Sequence, residues 1–197
     1  MPAPHHGDLP VQIQGLAKRL RFTALERHHK NRTVIAIYVL INSAISISLL
    51  SVIATATGEP FVFPSLGPTA FVLFFAALST QSSPRNVFCG HLIGALAGFT
   101  ALLIFGLQAV PADLEAVTTA RLGAIAFALA VTLSVMIWLG VPHAPAGATT
   151  LIVALGLLRT PSQLTILMAA VVILILQGAA INRLAGIPYP LWKPVSN

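Results

Sequence analysis

Two stretches broken by proline and glycine interrupt apolar runs at equivalent places in the two halves of this chain. The first reads Phe63-Pro64-Ser65-Leu66-Gly67-Pro68-Thr69-Ala70, the second Val141-Pro142-His143-Ala144-Pro145-Ala146-Gly147-Ala148-Thr149-Thr150. Their surroundings are lipid: of 197 residues, 56% are hydrophobic and 8% charged, with a mean hydropathy of +0.88. A soluble domain of this length does not have that composition. A bilayer core offers no water to free backbone groups, so a broken helix survives there only if buried in protein or lining a cavity. Paired interruptions are the sequence mark of a transporter's binding site.

The apolar runs divide into six segments: Val34–Thr57, Phe61–Thr80, Val87–Val110, Leu122–Gly140, Val141–Leu158 and Leu164–Leu184. The polar stretch Pro111–Ala120, with Asp113 and Glu115, separates two groups of three. A shift of 77 residues lays Pro68 on Pro145, Ala77 on Ala154, Leu78 on Leu155 and Pro84 on Pro161. Helix ends expected near Val110 and Ile187 coincide under the same shift. An odd number of segments per half makes the second half enter from the opposite side. The expected fold is therefore an all-α membrane protein of six membrane segments arranged as two inverted three-segment repeats, the second segment of each a broken or half helix. Repeat one covers about residues 34–110 and repeat two about 121–187, within a transmembrane domain of 34–187.

Residues 1–33 carry Lys18, Arg19, Arg21, Arg27, Lys30 and Arg32 against Asp8 and Glu26. Such a patch beside a first span reads as a cytoplasmic anchor facing anionic lipid, not as a nucleic-acid site. Within it, Ile13, Leu16, Ala17, Leu20 and Ala24 fall at helical spacing, as in an amphipathic surface helix; a loosely ordered tail fits equally. No cleavable signal is read in the polar first 30 or so residues. The tail 188–197 holds Tyr189 and Trp192 at interfacial positions. With an inside N-terminus and six crossings, Arg85, Arg183 and Lys193 fall inside, Glu59, Asp113 and Glu115 outside, and only Arg159 violates the positive-inside rule. Re-entrant broken segments, leaving four crossings, would put Arg85 outside. The expected location is a bacterial inner membrane.

In each half the regular helix is expected to start at about Pro68 and Pro145, since proline suits a first helical turn and the residue before it runs extended. About a dozen residues follow, short of the hydrocarbon thickness. Two positive helix tips, with unpaired N–H groups, then approach a common point from opposite sides, a setting for a small anion. Ser65, Gly67, Pro68, Thr69, His143, Pro145, Gly147, Thr149 and Thr150 are the expected binding residues, with Arg85, Asn86 and His91 as secondary candidates. The bland reading is that the prolines and glycines only let helices turn and pack, and membrane threonines often bond back to their own helix. Arg85 also reads as an interfacial anchor, and His91 as a satisfied core histidine.

The stripe Asn86, Gly90, Gly94, Gly98 fits close helix packing, as does a face of Ala126, Ala130 and Ser134 on the fourth span. Asn42, Ser46, Ser48 and Ser51 of the first span, and Gln177 of the last, either line a path or bond across helices. Cys89, His91, Met136 and His143 are metal-ligand types without metal-site spacing, so metal transport ranks low and no metal or other cofactor is expected. Carboxylates are missing from every span and no G-x-S-x-G elbow occurs, which argues against an enzyme.

Over roughly residues 30–190 the chain resembles the HPP family of integral membrane proteins. The likeness rests on Ser65-Leu66-Gly67-Pro68-Thr69-Ala70, on Pro84-Arg85-Asn86 with Gly90-His91, and on His143-Ala144-Pro145-Ala146-Gly147-Ala148, where Ala144 replaces the first proline of the family's His-Pro-Pro motif. The resemblance implies a small-anion transporter, with nitrite the substrate attributed to some relatives. A non-transporting membrane sensor or assembly module, recruiting partners through its basic tail, is the alternative. The expected partners are a small inorganic anion, the lipid bilayer and, from the small-residue stripes, further copies of the same chain.

Overall fold

The computed structural model describes Gly15 and residues 31–194, and among them all regular structure is helical. Six α-helices follow in order: α1 (Asn31–Thr57), α2 (Leu66–Phe75), α3 (Pro84–Ile104), α4 (Thr119–Trp138), α5 (Ala146–Ala154) and α6 (Pro161–Leu184), with a short 3-10 turn at Thr80–Ser82 between α2 and α3. Four of them, α1, α3, α4 and α6, are long and apolar enough to cross a membrane. Between them, α2 has 10 residues and α5 has 9. At about 1.5 Å per residue each covers roughly half of a hydrocarbon core.

Local sequence sets the long helices' limits. Ser83 accepts a hydrogen bond from the Asn86 amide ahead of Pro84, and Thr160 does so from the Gln163 amide ahead of Pro161, where Gln163 reaches back to complete a capping box. Both starts combine an oxygen cap with proline at the first helical position. Thr118 caps α4 by accepting from the Arg121 amide, without a proline. α3 stops at Ile104, six residues short of the expected Val110, because Gly106 takes φ 67° and turns the chain; Gly186 at φ 83° ends α6 likewise. The expected surface helix of residues 11–30 lies outside the described residues, apart from Gly15.

α3 lies at the centre, packed on α5, α4 and α6, while α1 and α2 pack on each other and on α6. Gly90, Gly94 and Gly98 make the α3–α5 contact possible. A Cβ at Gly94 would stand 2.7 Å from the Ala146 carbonyl oxygen and 2.8 Å from Thr150 Oγ1, and one at Gly98 would stand 2.7 Å from Val153 Cβ. The packing expected of this stripe is thus present. The stripe expected on the fourth span is not the packing face: Ala126, Ala130 and Ser134 are exposed, and Ala124, Ala128, Thr132 and Met136 point inward. The inward set keeps the same four-residue period one face round, because Thr132 bonds across to α5 at Thr150, 2.9 Å away. On α1, Asn42 and Ser46 are buried, and Ser48 and Ser51 are exposed.

Side-chain bonds show which helix ends lie together. At one end, Arg85 of α3 donates to the Leu139 carbonyl after α4 at 3.3 Å, and its amide donates to Trp192 O at 3.0 Å. The Tyr189 hydroxyl donates to Ser82 O, and Tyr38 near the start of α1 donates to Asn182 near the end of α6 at 2.8 Å. At the other end, Arg121 donates to Ala154 O, Val110 O and Pro111 O at 3.4, 3.0 and 3.1 Å. Arg159 there reaches Gln108 O at 3.4 Å. In the loop between, two backbone N–H groups, of Ala116 and Glu115, hold the Asp113 carboxyl below its usual range.

Arg121 is 4% exposed and closes the C-terminus of α5, where carbonyls have no helical partner. Arg121→Ala should lower stability by about 3 kcal/mol, since charged hydrogen bonds to otherwise orphaned carbonyls are lost. A thermal unfolding midpoint in detergent equal to that of the unaltered chain would contradict this.

Candidate functional site

The broken segments bend for local reasons. Proline at 64 and 142 disfavours the helical conformation in the residue before each, so each helix is delayed until a tight turn at residues 64–65 and 144–145 leads into it. α2 starts at Leu66, two residues ahead of the expected Pro68, and α5 starts at Ala146, just after Pro145. The tips are less open than expected. Leu66 N–H donates to Phe63 O, and the amides of Ala146, Gly147 and Ala148 donate to the carbonyls of His143, Ala144 and Pro145. Each tip satisfies these donors with tight three-residue turns of its own.

The side chains of the two tips meet on α3. Thr69 of α2 lies 2.9 Å from His91 Nε2 and 3.3 Å from His143 Nε2, and its hydroxyl is 2.8 Å from Ser65 O. His91 Nδ1 lies 2.7 Å from Thr149 Oγ1 of α5. His143 Nδ1 lies 2.8 Å from the Gln81 carbonyl, which can only accept, so that nitrogen carries a proton. The two imidazole rings stand 5.0 Å apart between centroids. Thr150, one residue on, bonds Thr132 and its own helix at Ala146 O. Ser65, Thr69, His91, His143, Thr149 and Thr150 each have 0% exposure.

Of the expected binding residues, Ser65, Thr69, His143, Thr149 and Thr150 are therefore gathered around His91. Pro145 and Gly147 are buried beside them, though a Cβ on Gly147 would meet only Leu129 Cδ1 at 3.6 Å. Gly67 and Pro68 face outward on α2, and nothing stands within 4 Å of a Cβ at Gly67. Of the secondary candidates, His91 is the hub, Asn86 is buried and donates to Pro142 O at 3.4 Å, and Arg85 lies off the cluster.

Two buried polar atoms at this site have no hydrogen-bond partner, Ser65 Oγ and Asn86 Oδ1. Among the described residues no three His, Cys, Asp or Glu side chains come together.

Sequence reasoning missed Gln81, Thr132 and Arg121. Gln81 holds the second broken segment twice: its carbonyl receives His143, and its side-chain oxygen receives the Ala144 amide at 3.0 Å. A lone amide side chain between two apolar runs was the available signal. Thr132 sits on the inward face only because of the rotation of α4, and Arg121 sat at a segment boundary where a cation reads as an anchor.

Four long apolar helices and two half-helices whose first turns meet in a dry histidine–threonine cluster define a polytopic helical membrane protein with an intramembrane polar site. The family model described as HPP, transmembrane region, matches residues 28–190, and the chain belongs to that family. No curated protein matches the chain, and no solved structure does.

Proposed function

We propose that this protein carries a small monovalent anion across a bacterial inner membrane, with nitrite as the first anion to test. The observation that carries the reading is the junction of the α2 and α5 tips on one α3 histidine, with the Ser65 hydroxyl buried there and unpartnered. A free hydroxyl donor beside a helix N-terminus is suited to an anion. With every cluster residue at 0% exposure the site is closed to both sides, so an anion enters only when the elements around it move apart.

The helix ends support six crossings. The start of α3 shares one end of the bundle with the start of α1 and the ends of α4 and α6, so residues 58–83 and 139–160 each pass from one end to the other. The two halves then run in opposite senses, and the packing pairs exchange under that relation: α3–α5 with α6–α2, α3–α4 with α6–α1, and α1–α2 with α4–α5. Arg32, Arg85, Arg183 and Lys193 mark the cytoplasmic end by the positive-inside rule. Glu59, Asp113 and Glu115 mark the other, where Arg121 joins Arg159 as an exception to that rule, so the expectation of a single exception is corrected; both are held by backbone carbonyls. Rocking of one half against the other would open the site alternately.

The test is flux into liposomes containing the purified chain, with nitrite, nitrate, formate and chloride offered in turn. At least one should cross, and failure of all four with folded protein refutes the proposal. Removing residues 1–30 should leave flux intact. A membrane module that recruits partners through its basic tail would instead show no flux with any of the four and would lose its partners on that truncation.

A further inference from the structure

The cluster contains five hydrogen-bond contacts: His143 Nδ1 with Gln81 O, His143 Nε2 with Thr69 Oγ1, Thr69 Oγ1 with Ser65 O, Thr69 Oγ1 with His91 Nε2, and His91 Nδ1 with Thr149 Oγ1. Each contact needs one hydrogen. Two neutral imidazoles and two hydroxyls supply four. One contact is therefore always empty in the neutral cluster, and the fully buried groups around it leave no room for water to fill it.

We infer that the site takes up one proton together with each anion, and that the proton rests on Nε2 of His143. This rests on the anion-transport reading and names its coupling ion. The placement follows from donor logic. The carbonyls of Gln81 and Ser65 only accept, so His143 Nδ1–H serves the first and the Thr69 hydroxyl serves the second. Thr69 has no other hydrogen, so His143 Nε2 and His91 Nε2 must both donate to it, filling both its lone pairs. His91 Nδ1 then accepts from Thr149. This is the single arrangement that fills all five contacts, with His143 as imidazolium and His91 neutral. Protonating His91 instead leaves one contact empty and the Thr149 hydrogen unused.

An imidazolium at 0% exposure requires a counter-ion. The groups facing it are Thr69 from α2, Gln81 from the 76–83 connection and His91 from α3; Met136 of α4 borders Gly90 as His143 does, and Thr149 of α5 bonds the other nitrogen of His91. Arg85, on the first turn of α3, is turned to Leu139 O, and Arg121, at the far end of α4, to Ala154 O. Cys89, beside Gly90, is partly exposed. None of α2, the 76–83 connection, α3, α4 or α5 carries an aspartate or glutamate. None of these elements supplies a counter-ion, and an incoming monovalent anion does. Each charge makes the other's burial affordable, so the two enter as a neutral pair.

Two measurements on the full chain test this. Nitrite added to unbuffered, detergent-solubilised protein should draw in about one proton for each nitrite bound, and none in H143Q. In vesicles clamped at zero potential, a proton gradient should drive nitrite entry faster than in protein-free vesicles, toward about tenfold accumulation per pH unit, as one-to-one coupling requires. Nitrite that binds without proton uptake, or crosses without following the gradient, overturns the coupling while leaving anion transport standing. No crossing by nitrite, nitrate, formate or chloride overturns both. Should H143Q fail to fold, the proton count on the unaltered chain decides alone.

Discussion

Gly94→Val should leave almost no folded protein in detergent, and Gly94→Ala should lower stability by about 1–3 kcal/mol. The reason is what a side chain there would strike. The nearest atom, at 2.7 Å, is the backbone carbonyl of Ala146, which moves only if α5 moves; Thr150 Oγ1 follows at 2.8 Å. Separating α3 from α5 would also pull Thr149 away from His91, now at 2.7 Å. Alanine gains about 1 kcal/mol in helix propensity over glycine, so a loss despite that gain identifies packing as the cause. Gly67→Ala is the control, because a Cβ there meets nothing within 4 Å. Size-exclusion profiles and thermal midpoints for the three variants decide the matter. If Gly94→Val elutes as the unaltered protein does, with an unchanged midpoint, the α3–α5 contact is not as drawn.

Thr69→Val should abolish function while nearly preserving shape. Valine matches threonine in volume, but the hydroxyl it removes contacts both histidines and the Ser65 carbonyl. Both Nε2 atoms would then face a methyl group in a dry interior. At roughly 1.4 kcal/mol for each of two lost contacts, flux should fall about a hundredfold. Thr69→Ser keeps the hydroxyl and should restore most of it. Initial rates of nitrite uptake, normalised to folded protein, are the readout. Unimpaired flux in Thr69→Val would remove Thr69 from the pathway, and equal losses in the valine and serine variants would point to packing instead of the hydroxyl.

Much of the scaffold was visible in the residue order because the bilayer imposes strong local rules. Apolar runs of about 20 residues gave the four long helices. α3 and α6 each begin three residues ahead of the expected Val87 and Leu164, at a proline beside an oxygen cap that hydropathy alone does not register. The broken segments exposed the half-helices, although α2 begins two residues early, since Pro68 is tolerated within a first turn where its N–H has no partner. The end of α3 was misplaced because Gly106 turns the chain inside a stretch still apolar as far as Val110. Hydropathy does not report φ.

The candidate site was visible only as a set of residue types near two interruptions. Gly67 and Gly147 looked equivalent, yet one faces outward and the other inward, because rotation of a short helix is set by its neighbours and not by its own pattern. His91 ranked behind the motif residues because nothing local joins it to positions 69 and 149. Its role comes from the glycine stripe that lets α3 press against α5, a contact between residues more than 50 positions apart.

From its order of residues alone, this chain was bound to be a lipid-embedded helical protein interrupted twice, for a bilayer forbids unpaired backbone and so makes length, apolarity and proline decisive. Which polar side chains meet, and how many hydrogens they share, was settled only when α2 and α5 were brought onto α3, because a hydrogen bond between distant segments depends on helix rotation and depth that no local rule encodes.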